Sequence, residues 1–527
     1  MKTWRLNLIF CLFFIISAVI CWRLFNLQIL KNQYYLDIAN AQNKDRPITN
    51  LRGQILMQNN EPLIINKNYT MVYAVPAQVN DPKITSQKLD SLLKIDEQTI
   101  FKRLNKPNDP YEPLENRLLQ ETTDAIQGLN LDGIKIAQEK LRYYPEQEIF
   151  GHMTGFVDKN NKGQYGLESY YDKYLKNGND LYLTIDRTVQ ILAWQNLEKL
   201  IKKYNPESVS IVVMETKTGR ILAMVSAPSY NPNEYFKIKD MNLFLNPVVS
   251  TRYEPGSVIK PLTMAAGLDA GKITPETIYK DKGSLHLDGY TIRNAQQKTY
   301  GVQTMTQVLE KSINTGAVFA QEQLEKKEFK RYFEKFGLNK KTNIDLTGEI
   351  IGDISNLDQK NNINYATASF GQGIAVTPMA LLNAINAIAN QGQLMQPYLV
   401  EKIMYNNKQV QSFLPKKIKQ VISRESARKL TGMMVSVVEN GFANQAKIPG
   451  FLVTGKTGTA QIPGQGGYTD EIIHSFVGFA PAFDPKVAVL LKLDKPNGVL
   501  FAGTSLAPVF SDLIGAILNY YQIQPKN

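Results

Sequence analysis

Apolar positions open the chain as a block. Leu6 to Trp22 (LNLIFCLFFIISAVICW) carries no charge; Lys2 and Arg5 precede it and Arg23 closes it. Extended through Leu24, Phe25 and Leu27, with Arg23 able to snorkel, the run is long enough to span a bilayer. No A-x-A site follows, and Ile20 before Cys21 is too large for a lipoprotein signal. The pattern therefore predicts an uncleaved anchor over residues 1–26. Basic residues ahead of the run predict a cytoplasmic N-terminus and an exported body, an asymmetry that Arg23 and Lys31 soften.

After the anchor the pattern loosens. Residues 27–178 read as polar and irregular, with turn clusters such as NKPNDPYEP (105–113) and KNNK (159–162). They predict an elongated, non-catalytic module. From LTIDRTVQ (183–190) the texture tightens, and residues 179–527 read as one further domain. Asp186 can cap a helix whose apolar positions Val189, Leu192, Ala193, Leu197, Leu200 and Ile201 share one face. SVSIVVMETKTGRILAMVSAP (208–228) reads as a hairpin about a Lys-Thr-Gly turn. HSFVGFAP (474–481) and KVAVLLKLD (486–494) read as a second, with FLVTGKTGTAQI (451–462) as a strand before it. Helical patterns fill the middle, one running from Thr377-Pro378 through Leu381, Leu382, Ile385 and Ile388 to a stop at Gly392. Strands at both ends with helices between predict an α+β domain: an antiparallel sheet closed by the two ends of the domain, with a helical lobe inserted. No internal repeat is visible.

Composition narrows the chemistry. A chain of 527 residues, 43% hydrophobic and 20% charged, fits two or three globular domains. Its net charge of +12 suits anionic surroundings such as a membrane surface or an acidic polymer. The densest basic stretch, KKEFKRYFEKFGLNKK (326–341), interleaves Glu328 and Glu334 with its lysines and reads as a solvated helix face, not a nucleic-acid site. The only cysteines, Cys11 and Cys21, lie in the apolar run, so the body has no disulfide and no thiol chemistry. His152, His286 and His474 lack metal-ligand spacing, so neither a metal nor another cofactor is expected. A Ser-His-Asp triad would need one of these three beside a serine, which makes lysine the better base.

Three short motifs then stand out. In EPGSVIKP (254–261), Ser257 and Lys260 are three apart, so hydroxyl and amine become neighbours if a helix starts there. KSINTG holds Ser312 and Asn314; KTGT holds Lys456, Thr457, Gly458 and Thr459. Each alone is weak. Ser257 could be a helix cap after Pro-Gly, Ser312 and Asn314 loop hydrogen-bonders, and Lys456 a surface residue on an edge strand. A second Lys-Thr-Gly at 217–219 shows how easily that triplet arises. Glu254 reads as a pre-turn residue and His474 as structural. The ordered set S-x-x-K, S-x-N, K-T-G is more specific, placing one piece at a helix start, one on a loop and one on a strand.

With that set in order, the sequence resembles a class B penicillin-binding protein, a membrane-anchored peptidoglycan D,D-transpeptidase, over nearly its whole length. RGQI (52–55), RYYP (142–145), GHMTGFV (151–157), GQYGLE (163–168) and LTID (183–186) match the family's N-terminal module. The chain departs from its usual Asp-Arg-Asn-Gly at Met57, Gln58, Asn59 and Asn60, which bears on the pedestal, not on catalysis. SFGQGIAVTPMAL (369–381), GKTGTAQ (455–461) and LDKPNGVLFAGTSLAPVF (493–510) look closest to the FtsI-like cell-division branch, with the elongation branch next. The resemblance implies a penicillin-binding/serine β-lactamase-like domain on a dimerisation-type pedestal.

The resemblance also implies roles. Ser257 is the nucleophile and Lys260 its base, which must be neutral to act. Bringing a lysine from about 10.4 to near 7 costs roughly 4 kcal/mol, and burial and a second cation, Lys456, push that way. Ser312 relays a proton to the leaving amine, and Asn314 holds the donor backbone and Lys260. The N–H groups of Ser257 and Thr459 form the oxyanion hole; Thr457, Thr459 and Lys456, on the strand that Gly458 belongs to, hold the donor's terminal carboxylate. Implied partners are D-Ala-D-Ala stem peptides, β-lactams, the membrane, a polytopic glycosyltransferase (FtsW-like) and other division proteins. The implied location is the cytoplasmic membrane, single-pass, with the catalytic domain outside. Alternatives on the same fold are a β-lactamase or carboxypeptidase and a non-catalytic β-lactam sensor. A class A β-lactamase would need a deacylating glutamate in E-x-x-L-N, and the chain has no such match.

Overall fold

The computed structural model describes residues 3–26, 51–106, 109–464 and 466–525. Thr3–Phe25 form a helix, α1, about 35 Å long at 1.5 Å per residue. Leu8–Phe25 is long and apolar enough to cross a membrane, and its side chains, Phe10, Phe14 and Trp22 among them, stand exposed. Lys2, Leu27 and Lys31, used above for span and orientation, lie outside the described residues, as does the pedestal segment 27–50.

The region read as irregular is not. Among its described residues run β1 (Ile55–Leu56), β2 (Pro62–Ala74), β3 (Glu112–Leu118) and β4 (Ile134–Tyr143), with a short pair at Phe156–Val157 and Gly163–Gln164, and β5 (Asp180–Leu183) follows just beyond it. β2 pairs with β4 from Ile65↔Tyr143 to Ala74↔Ile134, and with β3 at its far end. The polar texture misled because β4 (IKIAQEKLRY) is half-buried along most of its length and shows no apolar alternation. Two quoted segments meet in the core of this region. Arg142 of RYYP donates to Glu168 of GQYGLE at 2.7 Å and to Gly53 O at 2.7 Å, with both charges buried.

The remaining elements follow the expected order. Helix α2 (Arg187–Tyr204) is capped by the Asp186 carboxylate, which accepts from Thr188 N and Val189 N at 2.9 and 3.1 Å. It leads into the hairpin β6 (Ser208–Glu215) and β7 (Ile221–Ala227). The inserted lobe holds α3 (Lys260–Asp269), α4 (Asn314–Glu322) and the wholly buried α5 (Pro378–Ala389), capped by Thr377. Strands β8 (Val400–Tyr405) and β9 (Lys408–Ser412) pass back to the N-terminal sheet, whose order is β9-β8-β5-β1-β2-β3 with β4 also on β2. Helix α6 (Arg424–Glu439) returns to the lobe. The chain closes with β10 (Lys456–Gly464), β11 (Gly467–Ala480), β12 (Val487–Asp494) and α7 (Ala507–Tyr520).

The second sheet has the order β10-β11-β12-β6-β7, antiparallel throughout and closed by its first and last hairpins, as the pattern predicted. Its inner strands are nearly continuous apolar runs because both faces are covered. α2 and α7 pack on one another and on the sheet, and α5 packs on β6, β11 and β12. Two boundaries move: the predicted strand 451–462 begins only at Lys456, and the strand predicted from His474 begins at Gly467, making a further hairpin. β10 is left at the edge, beside the turn that carries Ser257.

Candidate active site

Pro255-Gly256 turns the chain into a short 3-10 segment, Gly256–Ile259, and α3 begins at Lys260. Residues three apart eclipse in a 3-10 turn, which stacks Ser257 and Lys260 on one side. Ser257 is half-buried and lines a cleft of about 410 Å³. Lys260 and Lys456 are fully buried. The strand carrying Lys456 is held tight against the serine turn. A Cβ at Gly458 would stand 2.9 Å from Pro255 O and 3.0 Å from Val258 Cγ1, so only glycine fits there.

All three motifs converge on the Ser312 hydroxyl. Lys260 Nζ lies 3.1 Å from Ser312 Oγ and Lys456 Nζ lies 3.0 Å from it on the other side. Lys260 also donates to Ser312 O at 2.6 Å and to Asn314 Oδ1 at 2.8 Å; Lys456 donates to Thr457 O at 2.9 Å. Ser312 reaches this position in a left-handed conformation, φ 52°, which costs a non-glycine residue about 1–2 kcal/mol. Asn314 begins α4 and is fixed from behind, its Nδ2 donating to Arg293 O at 2.9 Å.

Burial pushes Lys260 well below the ordinary lysine range, and the neighbouring Lys456 ammonium pushes it the same way. Burial likewise brings Lys456 down to about 7. A neutral amine keeps two N–H groups and one lone pair. With two N–H bonds to Ser312 O and Asn314 Oδ1, neither of which can donate, the lone pair of Lys260 is left for a hydroxyl. One difference from expectation stands here: among the described residues Lys260 makes no hydrogen bond to Ser257. The hydroxyl it meets is that of Ser312, because the carbonyl and amide oxygens of that loop orient the amine.

The other expected residues fall around the same cleft. Thr457 and Thr459 line it, on the face of β10 opposite Lys456 and Gly458. The Thr459 hydroxyl accepts from Ala502 N at 3.2 Å, which leaves its own proton free. The Ser257 N–H is an early donor of a helical turn, and Thr459 belongs to the edge strand. His474 pairs across from Thr459 in β11, is buried, bonds Ser505 through Nδ1 and is pushed down to about 4 by burial, so it is neutral. His152, also brought to about 4 by burial, bonds Leu243 O. His286 is exposed on a separate hairpin.

Two supports hold the site from behind, one at a position read as a pre-turn residue and one that the sequence did not mark. Glu254 accepts from Gly373 N at 3.0 Å and from Tyr468 Oη at 2.9 Å, tying the serine turn to a glycine loop and to the tip of the β10–β11 hairpin; burial raises its pKa. Its place one residue before Pro255-Gly256 was the available signal. Asp281, buried and held low by Thr315, Gly283, Tyr300 and Asn294, anchors the first turn of α4 through Thr315 Oγ1 at 2.7 Å. Nothing in its local sequence marks it.

Comparisons with known proteins identify the family. The family description "Penicillin binding protein transpeptidase domain" matches residues 209–515, and "Penicillin-binding Protein dimerisation domain" matches residues 47–185. The chain is 33% identical to stage V sporulation protein D of Bacillus subtilis, over 99% of this chain and 87% of that protein. It is 27% identical to the peptidoglycan D,D-transpeptidase FtsI of Escherichia coli K12, over 99% and 93%. Among solved structures, penicillin-binding protein 3 of Mycobacterium tuberculosis complexed with aztreonam superposes with a TM-score of 0.73 at 25% identity, covering 90% of this chain and 97% of that one. The chain belongs to the penicillin-binding protein family, as a class B member of its FtsI-like branch.

Proposed function

We propose that this chain is a membrane-anchored, serine-type peptidoglycan D,D-transpeptidase that crosslinks stem peptides and is acylated by β-lactams. The observation that carries the reading is the Ser312 hydroxyl held between two buried amines, beside Ser257 in an open cleft. Ser257 Oγ attacks the carbonyl of the penultimate D-Ala, and its proton passes to Lys260 as that amine's lone pair turns from the Ser312 hydroxyl to Ser257. The tetrahedral oxyanion sits on the N–H groups of Ser257 and Thr459, each such donor typically contributing about 100- to 1000-fold. The C–N bond to the terminal D-Ala breaks as Ser312, between Lys260 and Lys456, delivers a proton to the leaving amine. An acceptor amine then attacks the Ser257 ester, forming the crosslink and returning the proton. Thr457 and Thr459 hold the donor's terminal carboxylate, with the buried Lys456 amine behind the strand and Gly458 letting the strand close on the serine turn.

The division of labour is an anchor over 1–26 with its N-terminus inside, a pedestal over 27–178 and a transpeptidase domain over 179–527. The septal role, with an FtsW-like glycosyltransferase as partner, draws on the FtsI-like resemblance; crosslinking in membranes that captured only an elongation-type polymerase would refute it. The test of the activity is covalent labelling by a fluorescent penicillin, lost in Ser257→Ala, together with transfer of a donor peptide to a D-amino acid acceptor. Labelling that survives the substitution overturns the central claim. Release of free acid without transfer would mark a hydrolase, and a stable label without either a sensor.

A further inference from the structure

The cleft is lopsided in charge. Lys298 and Lys311 line it, in addition to the buried pair behind it, and no aspartate or glutamate lines it among the described residues. Lys311 is the better built of the two. It is half-buried and donates to Gln303 Oε1 at 2.7 Å, with its ammonium 5.8 Å from the centre of the Tyr300 ring. Gln303 is 7% exposed, and its amide cannot turn over: its Nε2 donates to Tyr300 O at 2.8 Å and Val302 O at 2.7 Å. A fixed acceptor therefore orients this cation, and an ammonium has three N–H groups, so two remain for a ligand. No carboxylate pairs with Lys311 or Lys298 among the described residues. A half-buried ammonium held by a neutral amide, with no counter-ion of its own, suits an anion brought by a substrate.

We propose that Lys311, assisted by Lys298, forms an anion subsite for a second carboxylate of the donor stem peptide, on the side chain of the residue preceding D-Ala-D-Ala. The inference rests on the transpeptidase reading above. The terminal carboxylate is taken by the Thr457–Thr459 wall. The preceding residues must run along the rest of the cleft, where Lys311 follows from the loop that supplies Ser312. Donors with a free side carboxylate are then preferred over amidated ones.

Two thioester donors ending as N-acetyl-X-D-Ala, with X as L-Glu or L-Gln, differ only in that carboxylate. Acyl transfer by the full chain in detergent is measured for wild type, Lys311→Gln, Lys311→Arg and Lys298→Gln. Wild type is expected to prefer the carboxylate by about tenfold, the scale of one charge-assisted hydrogen bond. The preference narrows with added salt. It falls to within about twofold of parity in Lys311→Gln, persists in Lys311→Arg and weakens partly in Lys298→Gln. Parity in wild type, or a preference retained in Lys311→Gln, overturns the subsite. If Lys311→Gln turns over neither donor, Lys311→Arg decides: turnover without preference overturns it. Failure of wild type with both donors and with penicillin labelling would instead remove the transpeptidase reading itself.

Discussion

The chain contains Lys-Thr-Gly twice, and the two copies do different work. At 217–219 the triplet makes the turn between β6 and β7. Lys217 is 64% exposed and pairs with Asp484 at 3.1 Å, while Gly219 takes φ +81° to close the turn. At 456–458 it starts the edge strand β10. Lys456 is fully buried against Ser312, and Gly458 is an extended residue lacking a side chain because the serine turn presses on it. One lysine is an exposed partner in an ion pair; the other is pushed down to about 7 by burial. Three identical residues thus carry no chemistry of their own. What they do depends on whether water or a second motif surrounds the amine.

If burial is what turns a lysine into a base, the largest effect should come from restoring a permanent charge in the buried set. Lys260→Arg keeps the charge and most of the length, but guanidinium does not deprotonate at working pH. Both Lys260→Arg and Lys260→Ala should lose at least about 100-fold in the second-order rate of penicillin acylation, with folding checked by thermal melting. An arginine variant within a few-fold of wild type would move the base to Ser312 or Lys456.

Stability should show the cost of the same burial. Lys456 titrates near 7 in the folded chain and near an ordinary 10.4 when unfolded. Between those values the unfolded chain holds a proton that the native chain lacks, so raising pH favours the native state. The penalty is full below about 7 and gone above about 10.4. Lys456→Met cannot titrate, and it also relieves Lys260 of a like charge, which acts in the same direction. Relative to wild type, the variant should be most favoured at or below pH 7, and its advantage should shrink as pH rises, by at most about 1.4 kcal/mol per unit. Denaturant melts from pH 6 to 9 measure this. A gap that is flat or widens would contradict the buried-amine account.

The comparison also explains what the sequence made legible. The order S-x-x-K, S-x-N, K-T-G marked residues that the structure brings together at one cleft, and the two outer hairpins were readable because β6, β7 and β12 are long apolar runs. The N-terminal sheet was not readable, since β4 is half-exposed along most of its length and its sequence carries no sustained apolar alternation. Asp281 and Lys311 were hidden for another reason, and Glu254, read as a pre-turn residue, showed its place but not its partners. Each acts through partners that only the fold brings to it, Tyr468 for Glu254, Thr315 for Asp281 and Gln303, eight residues away, for Lys311, and no local pattern encodes those meetings. The separation of Ser257 from the Lys260 amine was equally invisible, because the oxygens that turn the amine away belong to the 312–314 loop.

The glycines sharpen the contrast at a smaller scale. Gly458→Ala would drive a methyl into Pro255 O and Val258 Cγ1 and shift the strand against the serine turn, so acylation should fall about tenfold or more, a 1 Å misplacement being enough. Gly219→Ala meets a different obstacle, a positive φ and Gln396 O at 2.7 Å, with the active site far along the sheet. It should cost about 1–2 kcal/mol of stability and leave the acylation rate within about twofold. Measuring both quantities on both variants tests the assignment. Equal acylation losses would mean that the two triplets are coupled through the sheet.

The smallest effect belongs to Lys217. Its ammonium shares Asp484 with Lys486, which donates to the other carboxylate oxygen at 3.0 Å, and all three side chains are substantially exposed. Those two hydrogen bonds, first from Lys486 and then from Lys217, hold Asp484 below the usual carboxylate range. A depressed carboxylate stabilises the fold above its unfolded pKa, and that support is lost as pH falls through the folded value. Lys217→Ala removes one of two cations, so Asp484 keeps a partner and the loss should be no more than about 1 kcal/mol at neutral pH. Added salt should shrink the difference, as should acid, because both weaken the pair in wild type. Penicillin acylation should stay within about twofold of wild type at every salt concentration, whereas Lys456→Ala in the same assay should lose about 100-fold. A Lys217→Ala variant that acylates as poorly as Lys456→Ala would show that the first triplet reaches the site after all, and that burial alone does not separate the two lysines.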